Sequence, residues 1–188
     1  AYMNFGSDYR FALQLDFQSA LKDYKKILED FSDQPRVIVK ACWYLGWIYC
    51  DLLDDPQTGL EYYWRIVKEF PAIEMGISSP VPWVSLVYTL ANHDQLPQKT
   101  IVRKYWASLS LMEIIRHSSK TSEARSAFGI LWETYRNTVS TGLALQYLLS
   151  DKMHQQFIKP YAQAYLDLDI INRFRVSEIE TKLEEVLE

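Results

Sequence analysis

The chain has 188 residues, long enough for one domain with a sizeable core, and its 48% hydrophobic and 23% charged content excludes a disordered chain. A net charge of −4, spread along the chain, leaves no basic face of the kind that nucleic-acid binding requires. No apolar run reaches 18 residues, so no segment reads as a membrane span.

Residues 1–35 show the first of two recurring glycine settings. Phe5-Gly6 is followed by Tyr9, Leu45-Gly46 by Tyr49, and Phe128-Gly129 by Trp132. The tripeptide Thr-Gly-Leu occurs at 58–60 and again at 141–143. Glycine inside a helix costs about 1 kcal/mol relative to alanine. Its recurrence at fixed positions predicts helix backbones crossing too closely for a side chain. The chain also aligns with itself. At an offset of 39, Asp16, Gln18, Leu21, Tyr24, Ile27 and Phe31 recur as Asp55, Gln57, Leu60, Tyr63, Ile66 and Phe70. At an offset of 83, Ala41, Leu45, Gly46, Tyr49, Thr58, Gly59, Leu60 and Ile66 fall on Ala124, Phe128, Gly129, Trp132, Thr141, Gly142, Leu143 and Leu149. The larger offset is about two periods, so a degenerate unit is expected at 80–118.

Residues 36–71 form the clearest unit. Val37 to Leu53 is apolar nearly all round, the pattern of a helix enclosed by neighbours. Asp54-Asp55-Pro56 ends it. Asp55 suits the N-cap and Pro56 the first turn of the next helix. That helix carries Leu60, Tyr63, Ile66, Val67 and Phe70 on one stripe, with Glu61, Arg65, Lys68 and Glu69 outside, and Pro71 closes it. Residues 71–82 hold Pro71, Gly76, Pro80 and Pro82 and are the best candidate for a joint. Further helices are expected near 81–92, 98–117, 121–137, 139–151, 157–174 and 177–187. Ser177 and Glu180 form a capping-box pattern for the last, whose polar face suits the end of a stack.

This pattern resembles the tetratricopeptide repeat, in which an aromatic, Leu-Gly and Tyr mark the first helix, a small residue and an aromatic mark the second, and a proline closes the unit. Tyr44, Leu45, Gly46, Tyr49, Gly59, Tyr63, Ile66 and Pro71 carry the likeness in the second unit. Phe5, Gly6, Tyr9, Ala20, Tyr24 and Ile27 carry it in the first, where Ser32 stands in place of the proline. The unit at 121–153 supplies Phe128, Gly129, Trp132, Gly142 and Leu149, with Gln146 in place of the second aromatic. Residues 72–118 and 154–188 match the family poorly. The resemblance implies an all-α fold: a right-handed α-solenoid of paired antiparallel helices over 1–35, 36–71, 80–118 and 121–153, closed by C-terminal helices at 154–188. The period near 40 and the Phe-Pro close look like the bacterial extracytoplasmic branch of lipoprotein and cell-envelope scaffolds, which implies a periplasmic or envelope setting. The chain opens on Ala1 rather than Met, which reads as a tag remnant, a cut within a longer chain or a processing point, and a signal peptide could have been removed.

The same resemblance turns one side of the first helix toward a concave groove. Trp43 and Trp47, four residues apart, share a helix face and become candidate anchors for a partner's peptide or helix, with Lys40 and Asp51 flanking them. Packing on the neighbouring unit is the alternative for both tryptophans. Some relatives clamp a C-terminal carboxylate with Lys and Asn, but the matching positions here hold Trp43 and Trp47, so that clamp does not carry over.

No catalytic, cofactor or metal motif stands out. His93, His117 and His154 are isolated in sequence and read as surface histidines. Lys99, Arg103, Lys104 and Arg116 read as a solvated helix face. Asp167 and Asp169 point to different faces. Cys42 and Cys50 lie about 12 Å apart on one helix, too far for a disulfide within it, and are expected as buried thiols. The expectation is a non-catalytic scaffold for a protein partner, with neither nucleic acid nor cofactor. An all-α enzyme domain or accessory subunit is the alternative, and a self-assembling subunit is a third reading. Titratable residues converging in one pocket would favour the enzyme.

Overall fold

The structure is a computed structural model, and it describes residues 17–75, 105–136, 138–149 and 152–167. Seven α-helices account for the named elements of these residues: α1 (Phe17–Asp30), α2 (Pro35–Trp47), α3 (Pro56–Glu69), α4 (Trp106–His117), α5 (Thr121–Tyr135), α6 (Val139–Leu149) and α7 (Lys152–Leu166). Among the described residues the fold is therefore all-helical. The expected helices at 81–92 and 177–187, the joint beyond Met75, and Phe5, Gly6 and Tyr9 lie outside them.

The boundaries of α2 and α3 reflect local chemistry. Pro35 and Pro56 each open a helix, where a missing N–H costs nothing. The Asp55 carboxylate accepts the Thr58 N–H at 3.1 Å and caps α3. Asp54 turns the chain with φ of 53°, a left-handed conformation that Asp tolerates better than most residues. Between the two helices, α2 does not simply stop. It widens into a π-helical turn over Ile48–Leu52, where the Leu53 N–H reaches the Ile48 carbonyl at 3.0 Å. An extra residue in the turn rotates the downstream residues by about 100° relative to a continuing α-helix.

α2 and α3 cross where the glycines lie. A Cβ on Gly46 would meet the Tyr63 ring at 2.7 Å, and one on Gly59 would meet the Gly46 carbonyl oxygen at 2.8 Å and the Cys50 sulfur as well. The predicted stripe of α3 is buried at Leu60, Tyr63, Ile66 and Val67, while Glu61, Lys68 and Glu69 are exposed. Cys42 and Cys50 are both buried free thiols, and burial pushes them up to about 11 and about 12 respectively.

Each helix packs on the next one described, α1 on α2, α2 on α3, α3 on α4, and so on to α6 on α7; α4 also packs across to α6. From Trp106 to Ile115 every residue of α4 is buried, so α4 is the inner helix of the assembly. Polar ties hold it in place. The Trp106 N–H donates to the Ile73 carbonyl at 3.2 Å, and Glu74 pairs with Tyr105 in a single β-bridge. Ser140 Oγ on α6 donates to Ser108 Oγ at 3.2 Å. Trp64 Nε1 on α3 donates to Glu123 on α5 at 2.8 Å, and the Tyr135 hydroxyl donates to the Pro71 carbonyl at 2.7 Å.

Four expectations change here. The helix expected over 98–117 begins at Trp106, because Tyr105 is extended and pairs with Glu74. Gly129 has no atom within 4 Å of the position its Cβ would take, so it marks no helix crossing. α7 begins at Lys152 rather than 157. Its buried stripe starts at His154 and continues through Ile158, Ala162 and Tyr165, and a histidine as its first member hides the stripe from hydropathy. His154 is correspondingly an interior residue rather than a surface one.

Candidate functional site

Charged side chains converge where the π turn meets the last turn of α4. Glu113, Arg116 and His117 stand at i, i+3 and i+4 on α4 and so share a face. The widened turn at the end of α2 presents Asp51 to that face. Arg116 bridges both carboxylates, with Nη2 at 3.0 Å from Asp51 Oδ1 and Nη1 at 3.3 Å from Glu113 Oε2. His117 Nε2 lies 3.5 Å from Asp51 Oδ2 and 3.4 Å from Glu113 Oε2. The Glu113 side chain is only 2% exposed, whereas His117 and Asp51 keep 15% and 17% of theirs open to solvent.

This crowding sets the electrostatics. Burial works against a charged His117, but the Asp51 and Glu113 carboxylates outweigh it and hold the imidazole up to about 9. At 3.4–3.5 Å these are ion-pair contacts and not well-formed hydrogen bonds, so the push comes from charge proximity. Arg116 is treated the same way: burial opposes its charge, and Glu113 and Asp51 restore it and raise it further. With both bases charged, two negative and two positive groups balance. Tyr63 on α3 faces the same region. Its hydroxyl is wholly buried without a hydrogen-bond partner, and burial, then the Glu113 charge, hold its ionisation well above the usual value.

The residues expected to bind a partner are divided by the fold. Trp43 is 3% exposed and packs edge-on against Tyr44 and Tyr63 and beside Trp106, so it touches neighbouring helices as the packing alternative describes. Trp47 is half-buried between the two core clusters, and Lys40 is exposed. Asp51 belongs to the ionic cluster. Arg116 belongs there too, in place of the solvated face expected for it, and His117 is not isolated; Lys99, Arg103, Lys104 and His93 lie outside the described residues. The i, i+3, i+4 spacing of Glu113, Arg116 and His117 is a signal that the sequence offers. Asp51 is joined to them only by the fold.

A second surface feature lies beside α1. Lys22, Lys25 and Lys26 line a shallow groove with Leu21, Tyr49 and Leu53, and the Lys25 ammonium sits 5.6 Å from the centre of the Tyr49 ring.

Comparison of the chain with protein-family models, with curated proteins and with solved structures returned no match.

Proposed function

We propose that the chain is a non-catalytic scaffold built as a tetratricopeptide-like solenoid, and that it holds a peptide or helix of a partner protein along α2. The order of packing supports this reading. Each helix lies on the next, α4 reaches past α5 to α6, and the best-defined hairpin crosses at two glycines. Stacked helical hairpins leave one helix of each pair lining a continuous surface. On α2 that surface carries Lys40 and the half-buried Trp47, and Trp43, between them in the helix, packs on Tyr63 and Trp106.

A photo-crosslinking residue placed at 40 or at 47 tests the proposal, with position 68 on the outer face of α3 as control. The expected result is one shared partner captured from both α2 positions and not from the control. The double variant Lys40→Glu, Trp47→Ala should lose that partner while keeping its helical circular dichroism. Equal capture from all three positions, or a double variant that retains the partner, overturns the proposal.

A second reading has a specific observation behind it. It is an all-α enzyme domain or an enzyme's accessory subunit, and what favours it is the gathering of the titratable groups Asp51, Glu113, Arg116 and His117 at one place.

A further inference from the structure

In the ionic cluster the His117 imidazole stands between two carboxylates at separations too long for good hydrogen bonds. His117 Nε2 and Asp51 Oδ2 are buried and have no hydrogen-bond partner, although each faces an oppositely charged group. Together with a Glu113 carboxylate oxygen, their donor atoms lie within 4.8 Å of one another. A metal ion bound here would take the place of the proton that the imidazole holds between the two carboxylates, so binding would release that proton. The Tyr63 hydroxyl is a further buried polar group without a hydrogen-bond partner.

The two histidine–carboxylate separations suit a tetrahedral ion. Four ligands at about 2.0–2.1 Å stand about 3.4 Å apart along the edges of their tetrahedron. The two histidine–carboxylate separations are 3.4 and 3.5 Å. An octahedral magnesium at about 2.0–2.1 Å would draw neighbouring ligands to about 3.0 Å and favours oxygen over imidazole. We propose that His117 Nε2, Asp51 Oδ2 and Glu113 Oε2 bind a zinc ion, with the fourth coordination position open. The partial exposure of His117 and Asp51 provides the way in. Arg116 then acts as an outer partner that holds both carboxylates in position, the common arrangement around metal-bound carboxylates. The ion would staple the π turn at the end of α2 to the last turn of α4, two segments far apart in sequence. This inference is independent of the scaffold reading, since such a staple serves a scaffold and an enzyme equally.

The test begins with the purified chain, freed of metal by a chelator and titrated with zinc or cobalt. The expected result is one ion per chain and, for cobalt, the intense visible absorption of a four-coordinate ion. Zinc at 100 times its Kd should raise Tm by about 5–10 °C. His117→Gln and Asp51→Asn should each weaken binding by more than about 100-fold, since loss of an outer partner alone costs roughly 10–100-fold. Glu133→Gln, a change at an exposed carboxylate on α5, should leave binding intact. If a ligand variant does not fold, X-ray absorption on the zinc-loaded wild type decides: one imidazole and carboxylate oxygens at about 2.0–2.1 Å support the site. Absence of stoichiometric binding, affinity unchanged in both ligand variants, or a zinc environment without imidazole overturns it.

Discussion

The hairpins α2–α3 and α5–α6 carry the same motifs in the same register, and they are packed differently. In the first, Gly46 and Gly59 face each other across a backbone crossing, and Tyr63 closes over Gly46. In the second, a Cβ on Gly129 would face open space, and one on Gly142 would meet the Tyr165 hydroxyl of α7 at 2.9 Å. The register explains part of this. The position equivalent to Tyr63 is Gln146, so no aromatic ring is available to close over Gly129. The apolar surface of α5 is used elsewhere: Phe128 and Trp132 pack edge-on with Phe157 and Tyr161 of α7. A shared motif thus places a residue on a helix, and its partner on the facing helix decides what that residue does.

The largest contrast between the hairpins should appear at position 43 and its register equivalent. Trp43 is interior, while Ser126 is exposed. Trp43→Ala removes a large buried ring and should cost about 3–5 kcal/mol in urea or thermal unfolding. Ser126→Ala should change stability by no more than about 0.5 kcal/mol. Trp43→Phe should recover much of the loss, because it keeps an aromatic body and removes an indole N–H that has no partner. A Trp43→Ala protein with unchanged stability would place that ring outside the core and return it to the groove.

The glycines sharpen the comparison at a smaller scale. Gly59→Ala forces a methyl group against the Gly46 carbonyl, a backbone atom that cannot swing aside, and should cost about 1–3 kcal/mol. Gly129→Ala meets nothing and should gain about 0.5–1 kcal/mol from helix propensity. Opposite signs in parallel denaturation curves would establish that the two hairpins differ in their crossings. Destabilisation of both by similar amounts would show that α5 and α6 approach as closely as α2 and α3.

Much of the first hairpin is legible in the sequence, for reasons particular to it. Asp55 and Pro56 are strong local signals, and the stripe from Leu60 to Val67 repeats at helical spacing. The second hairpin is legible in its boundaries but not in its packing, because a glycine reports the need for room only when a neighbour fills it. The ionic cluster escapes the sequence reading, which takes His117 as an isolated surface residue and Arg116 as part of a solvated face. The i, i+3, i+4 spacing of Glu113, Arg116 and His117 carries part of the signal, but Asp51 joins them through a π turn at the end of an apolar run, and no pattern of hydrophobic residues foretells that extra rotation. His154 escapes a sequence reading because it is a titratable residue at the head of a buried stripe.

The smallest contrast lies at the helix entrances. Asp55 caps α3, whereas Lys120 stands at the N-cap of α5 and makes no side-chain cap. Hydrogen bonds from the Thr58 side chain, and then from its backbone N–H, hold the Asp55 carboxyl below its ordinary value. A depressed carboxyl stabilises the fold above its unfolded pKa of about 3.9, and the contribution is lost as pH falls through the folded value. The Asp55→Asn variant keeps a capping oxygen and should lose this part of the acid sensitivity, so the difference in Tm between wild type and variant should shrink toward pH 3. At α5 the reverse change applies. Lys120→Asp supplies an acceptor for the free N–H groups of the first turn and replaces a positive charge at the positive end of the helix. It should raise stability by about 0.5–1 kcal/mol near neutral pH, and the gain should fade on acidification. A Lys120→Asp protein no more stable than wild type at neutral pH would show that Ser118 and Glu123, which hydrogen-bond at 2.7 Å beside this entrance, already do the work of a cap.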